Sequence, residues 1–112
     1  MMELNKELLK GHIDTLILSI LNEEECYGYE IAKRVKNKCN DTFELKEGTM
    51  YLALKRMESK MFIESYWSQE EGAGGRRKYY RLTDLGKETL VIKKKEWFFI
   101  QKIMNSFLGE DI

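Results

Sequence analysis

Two short clusters of basic residues carry the most concentrated chemistry in this sequence. Lys55 and Arg56 lie within a segment of helical periodicity, and Arg76, Arg77 and Lys78 follow the glycine-bearing stretch Gly72-Ala73-Gly74-Gly75. Guanidinium and ammonium groups gathered this way bind phosphate, and nearby glycines let backbone amides approach an anion closely. The other candidates are weaker. His12 and Asp14 stand two apart without a placed serine or cysteine nucleophile, so they read as structural. Cys26 and Cys39 are thirteen apart with no companion His or Cys cluster, which suits two reduced thiols in a cytosolic protein. The sequence contains no P-loop, no dinucleotide fingerprint and no metal-ligand spacing. It points away from an enzyme and implies no cofactor and no metal.

Net charge is zero, from 19 basic and 19 acidic residues, which at first argues against a nucleic-acid partner. The distribution argues the other way. Residues 46–60 hold Lys46, Lys55, Arg56 and Lys60 against Glu47 and Glu58, or +2; residues 72–87 hold Arg76, Arg77, Lys78, Arg81 and Lys87 against Asp84, or +4. The remainder therefore totals −6. A neutral chain that gathers its cations in two segments can still present a local phosphate-binding face. The 112 residues suit one domain. The longest apolar runs, near Leu16 to Leu21 and Trp97 to Ile100, are too short to cross a bilayer, and the acidic, amphipathic N-terminus is no signal peptide. A cytoplasmic protein with no membrane partner is expected.

The elements that must position the clusters follow from periodicity. A first helix is predicted from about Lys6 to Leu21, with Leu9, Ile13, Leu16, Ile17, Ile20 and Leu21 as its apolar stripe. A second is predicted from Tyr27 to Lys38, burying Ile31, Ala32 and Val35. Phe43-Glu44-Leu45 reads as a short strand. The third helix, Glu47 to Lys60, should turn Met50, Ala53, Leu54, Met57 and Met61 inward, leaving Tyr51, Leu52, Lys55, Arg56 and Ser59 outside. Phe62 to Ser68 and Lys78 to Leu82 read as a hairpin closed by the polar turn Gln69 to Gly75. Thr83 is a natural N-cap for a closing helix from Asp84 to Leu108. In that helix Leu90, Trp97 and Met104 are spaced by seven, as are Ile100 and Phe107. A helix of this length spans roughly 37 Å, more than its own short neighbours can cover. Its far half calls for a second copy. The expected architecture is mainly α with a small β-hairpin: a winged helix-turn-helix over residues 1–83, then a dimerisation helix over residues 84–112.

The motifs in order make the chain recognisable. Lys10-Gly11-His12-Ile13-Asp14, Tyr27-Gly28-Tyr29-Glu30-Ile31, Glu47-Gly48-Thr49-Met50-Tyr51, Ala53-Leu54-Lys55-Arg56-Met57-Glu58 and Arg76-Arg77-Lys78-Tyr79-Tyr80-Arg81-Leu82-Thr83 before Gly86 resemble the PadR family of transcriptional regulators, in its shorter-helix subgroup. The resemblance implies a dimeric repressor of an inverted-repeat operator on double-stranded DNA. By position it implies that Thr49, Tyr51, Lys55 and Arg56 face DNA from the recognition helix, and Gly74, Arg76 and Arg77 from the wing. It also raises a small aromatic effector at Trp97, which otherwise simply packs between subunits with Leu90, Ile100, Met104 and Phe107. The chain departs from the common pattern where Leu52 replaces a proline and Met61 replaces a glycine. A glycine at 61 would take a left-handed cap at little cost, whereas methionine would be strained there or end the helix differently.

Two residue-level alternatives stay open. Tyr51 suits core support and DNA contact equally, and Tyr79 and Tyr80 should split across the two faces of their strand. One competing function also stands: a winged-helix module for protein–protein interaction, which would not need the basic wing.

Overall fold

The computed structural model describes residues 5–69 and 75–109. It is mainly helical, with one small antiparallel sheet. In chain order the elements are α1 (Lys6–Leu9), α2 (Ile13–Glu23), β1 (Cys26–Tyr27), α3 (Gly28–Lys38), α4 (Glu47–Ser59), β2 (Ile63–Trp67), β3 (Lys78–Leu82) and α5 (Asp84–Leu108).

The predicted first helix is broken in two at Lys10–His12. Gly11 favours no helical backbone, and the His12 N–H closes on the Leu9 carbonyl (2.8 Å) before α2 begins. The predicted stripe holds in α2 at Ile13, Ile17, Ile20 and Leu21, all buried, but Leu18 is fully buried too. A single stripe is not enough for α2 because α3, α4, α5 and β3 all pack around it. α3 then buries Ile31 and Val35, and α4 buries Met50, Ala53, Leu54 and Met57, so three helices close one core over the sheet.

The strand expected at Phe43–Leu45 does not form. Its alternation is real, with Leu45 buried, Phe43 half-buried and Glu44 exposed, but the segment is an extended loop. The third strand is instead β1, immediately before α3. The sheet order is β1-β3-β2, with Cys26 opposite Tyr80 and Ser65 opposite Tyr80 from the other side. Both edges of β3 are thereby taken, which leaves residues 43–45 no central strand to join. Tyr80 faces the core at 5% exposure while Tyr79 lies on the outer face, the split that alternation requires.

Met61 does not pack inward. α4 ends at Ser59 with Lys60 as its C-cap, and Met61 adopts φ 64° and is 69% exposed. The Met61 N–H bonds the Glu58 carbonyl (3.0 Å) and the Phe62 N–H bonds the Met57 carbonyl (3.0 Å), a Schellman closure built on a non-glycine residue. Helical periodicity thus stops one residue too early to carry Met61 to the core.

Thr83 is the N-cap of α5, its hydroxyl oxygen accepting the Gly86 N–H at 3.0 Å. The same hydroxyl donates to the Met61 carbonyl (2.6 Å), and the Thr83 N–H donates to the Phe62 carbonyl (3.1 Å). One threonine therefore ties the start of α5 to the end of α4 and the root of β2.

Candidate nucleic-acid interface

The face of α4 is fixed by its two neighbours. Tyr51, Lys55 and Glu58 follow at i, i+4 and i+7, hence on one side of the helix. At one end of that row the Tyr51 ring rests on Gly28, where a Cβ would overlap its hydroxyl oxygen and sit 2.8 Å from its Cζ. At the other end the Ser65 hydroxyl of β2 donates to the Glu58 carboxylate. Lys55 stands between these anchors, exposed and without an ion pair among the described residues. This row runs beside Tyr80 of β3, whose phenol is held above its ordinary pKa by burial first and then by the nearby Glu58 and Tyr51. The Lys78 ammonium lies 5.8 Å from the centroid of the same Tyr80 ring. Helix and wing thus meet around one aromatic side chain, with Glu58 and Tyr51 of α4 near it and Lys78 of the wing over its ring.

The other predicted contacts differ in freedom. Thr49 is exposed near the start of α4. Arg56 donates from Nη2 to Asp14, which is almost buried, while its own side chain remains 44% exposed. In the wing, Arg76 is exposed, and Arg77 lays its guanidinium 4.6 Å from the centre of the Tyr27 ring. The Arg77 carbonyl accepts the Ser68 N–H at 2.8 Å, so the base of the wing is paired on both sides of its turn. Gly74 lies outside the described residues. The other acid-paired cations are Arg34 with Glu24, Lys38 with Glu23 and, on β3, Arg81 with Glu64.

Leu52 stands on the outward face of α4 at 68% exposure, where its helical spacing put it. Two residues that sequence reasoning did not assign now have roles. Gly28 gives Tyr51 its seat, and Asp14 orients Arg56; neither contact has a signal in local spacing, since each joins segments more than twenty residues apart.

α5 leaves the body of the protein after its first two turns. Leu90 is half-buried against the protomer's own core. Beyond it Trp97 (46%), Ile100 (48%), Met104 (48%) and Phe107 (84%) are uncovered, as are Phe98 and Phe99. Trp97 makes one intramolecular ring contact, an edge-on approach to His12 with centroids 5.6 Å apart. Among the described residues no group of acidic, His and Cys side chains could hold a metal, and no helix is long and apolar enough to cross a membrane.

A family model for PadR-like transcriptional regulators matches residues 17–91. The crystal structure of a PadR family transcription regulator from Clostridium difficile is 65% identical, with a TM-score of 0.78 over 88% of this chain and 100% of that one. A transcriptional regulator from Clostridium thermocellum is 37% identical, with a TM-score of 0.85 over 95% and 99% of the two chains. An uncharacterised protein of Lysinibacillus sphaericus is 40% identical over 102 residues, or 91% of this chain and 93% of the relative. Sequence and backbone agree across α2 to α5, and the chain belongs to the PadR-like family of transcriptional regulators, built on the winged-helix fold.

Proposed function

We propose that this chain is a dimeric repressor that holds an inverted-repeat operator with two copies of α4 and two wings. Regulators of the family bind DNA, and the observation that carries the reading here is that Lys55 on α4 and Arg76 in the wing are both exposed and free of ion pairs among the described residues. In this reading α4 enters the major groove with Thr49 and Tyr51 toward the bases. Lys55 and the solvent side of Arg56 meet phosphate beside it, and Arg76, Arg77 and Gly74 follow the backbone from the wing. Dimerisation through α5 is supported by its apolar surface: Trp97, Ile100, Met104 and Phe107 form a stripe too large for a monomer to leave in water. Leu90 braces the base of that stripe from within the protomer. The two recognition helices would then meet successive major grooves roughly 34 Å apart. A flat aromatic effector would enter at the Trp97 seam, where the His12 edge already occupies part of the ring.

The test is binding to a duplex containing the chain's own upstream region, titrated across salt. The logarithm of affinity should fall linearly with the logarithm of salt. Arg76→Ala combined with Arg77→Ala removes four cations per dimer and should flatten that slope by about 2–4. Lys55→Ala should flatten it by about 2, since one cation leaves each protomer. Binding indifferent to all three substitutions would transfer the basic wing to a protein partner instead.

A further inference from the structure

Resting on the DNA reading, we propose that Leu52 is a specificity-determining residue that reads the C5-methyl group of a pyrimidine, thymine in ordinary DNA. A lone exposed leucine is common on protein surfaces. Leu52 is distinguished by where it stands. The buried residues of α4 are Met50, Ala53, Leu54 and Met57. Diametrically opposite them, at a spacing of 4, 3 and 4, lie Gly48, Leu52, Lys55 and Ser59, the stripe that leads into any groove the helix enters. Leu52 is the one large apolar side chain on that stripe, at 68% exposure, while Tyr51 and Arg56 to either side are engaged with Gly28 and Asp14.

Its direction also suits the role. Helical side chains lean toward the N-terminus, which for Leu52 is the side of Gly48. A Cβ at Gly48 would meet nothing within 4 Å among the described residues, so the space there is open. The result is an isobutyl knob in the first half of α4, the half of a recognition helix that reaches base edges. An isobutyl group neither donates nor accepts a hydrogen bond. Set against guanine N7 and O6 or the cytosine amino group, it would strip water from polar atoms and return nothing. The thymine methyl is the apolar feature of the major groove that it matches.

Duplexes are selected from a randomised pool with the wild-type protein, and each thymine of the selected site is then replaced singly by deoxyuridine, which deletes only the methyl. Wild type should weaken about fourfold at one symmetry-related thymine per half-site, the worth of one buried methyl. Leu52→Ala removes the contact from both half-sites, so it should weaken binding to the parent duplex by about the square of that factor, roughly fifteenfold, and become indifferent to uracil at that position alone. Because Leu52 is exposed, a thermal melt should show Leu52→Ala as stable as wild type. A wild-type profile flat to uracil at every position, or an Leu52→Ala profile identical to wild type, overturns the inference while leaving DNA binding intact. If the wild type selects no duplex, the DNA reading itself falls, and this inference with it.

Discussion

Gly86→Ala tests how closely the wing and α5 are locked. A Cβ at Gly86 would overlap the Phe62 carbonyl oxygen and lie 2.9 Å from its carbon. The oxygen contact is the tighter of the two, and relieving it requires α5 to withdraw by more than about 1 Å. The Thr83 N–H donates to that same carbonyl at 3.1 Å, and such a withdrawal carries it past bonding distance, while the Thr83 hydroxyl keeps its proton on the Met61 carbonyl. One lost bond costs about 1 kcal/mol and the residual crowding about 1–3 kcal/mol more, against about 1 kcal/mol gained from alanine's helix propensity. The net loss is about 1–3 kcal/mol, or roughly 5–10 °C in Tm. Gly48→Ala is the control, because a methyl there points into open space and should be neutral or stabilising by up to about 1 kcal/mol. Urea unfolding at one fixed protomer concentration compares the two, since the proposed dimer would shift apparent stability. A Gly86→Ala protein as stable as Gly48→Ala would refute the close-approach argument.

A double-mutant cycle on Asp14→Ala and Arg56→Ala should return a coupling of about 1 kcal/mol, the value for a charge-assisted bond with one end in solvent; additive effects would show that the pair does not hold α4. Met61→Gly relieves a left-handed residue with little packing to lose, so it should raise stability by up to about 1 kcal/mol in urea unfolding, and a destabilised variant would mean the Met61 side chain does more than its exposure indicates. Burial, and then the nearby Glu30, push the Cys26 thiol up to about 11, so at pH 8 a thiol reagent should label Cys39 readily and Cys26 only after unfolding. The same shift means that Cys26 favours the folded state below about pH 9 and that this contribution is lost as pH rises toward 11, which a chemical-denaturation series over that range would detect.

Elements whose signal is local were legible in the sequence. Thr83 announced α5 because an N-cap hydroxyl followed by a long apolar period has few other uses, and α5 runs from Asp84 to Leu108 as predicted. The inward set of α4 was readable up to Met57 for the same reason. What failed depended on partners distant in the chain. Phe43–Leu45 alternates as a strand should, but pairing is decided by which edges are free, and Cys26–Tyr27 had taken the one beside β3. Residues 6–21 carried one continuous stripe, yet Gly11 ended the first helix after a single turn. The candidate interface was half legible. Charge clustering located Lys55 and the wing arginines, but it could not tell a free cation from a held one. Arg56 and Arg77 look alike in sequence to Lys55 and Arg76, and only the fold gives them Asp14 and Tyr27 as partners.

Those partners bear on how an effector would act. His12 touches Trp97 of α5, and Asp14, two residues on, holds Arg56 of α4, so the first turn of α2 contacts both the proposed dimer seam and the recognition helix. The strength of that path is bounded by its weaker link. An edge-on aromatic contact is worth about 0.5–1.5 kcal/mol and a half-exposed ion pair about 1 kcal/mol. A ligand prising Trp97 away from His12 could therefore change the energy of α4 by no more than about 1 kcal/mol per protomer through this route. Over a dimer that is about 2 kcal/mol, or roughly thirtyfold in operator affinity. An effector that abolished binding more completely would have to work by altering the splay of the two α5 helices, because the spacing of both recognition helices follows from that angle, and Thr83 and Gly86 bind each α5 directly to its wing.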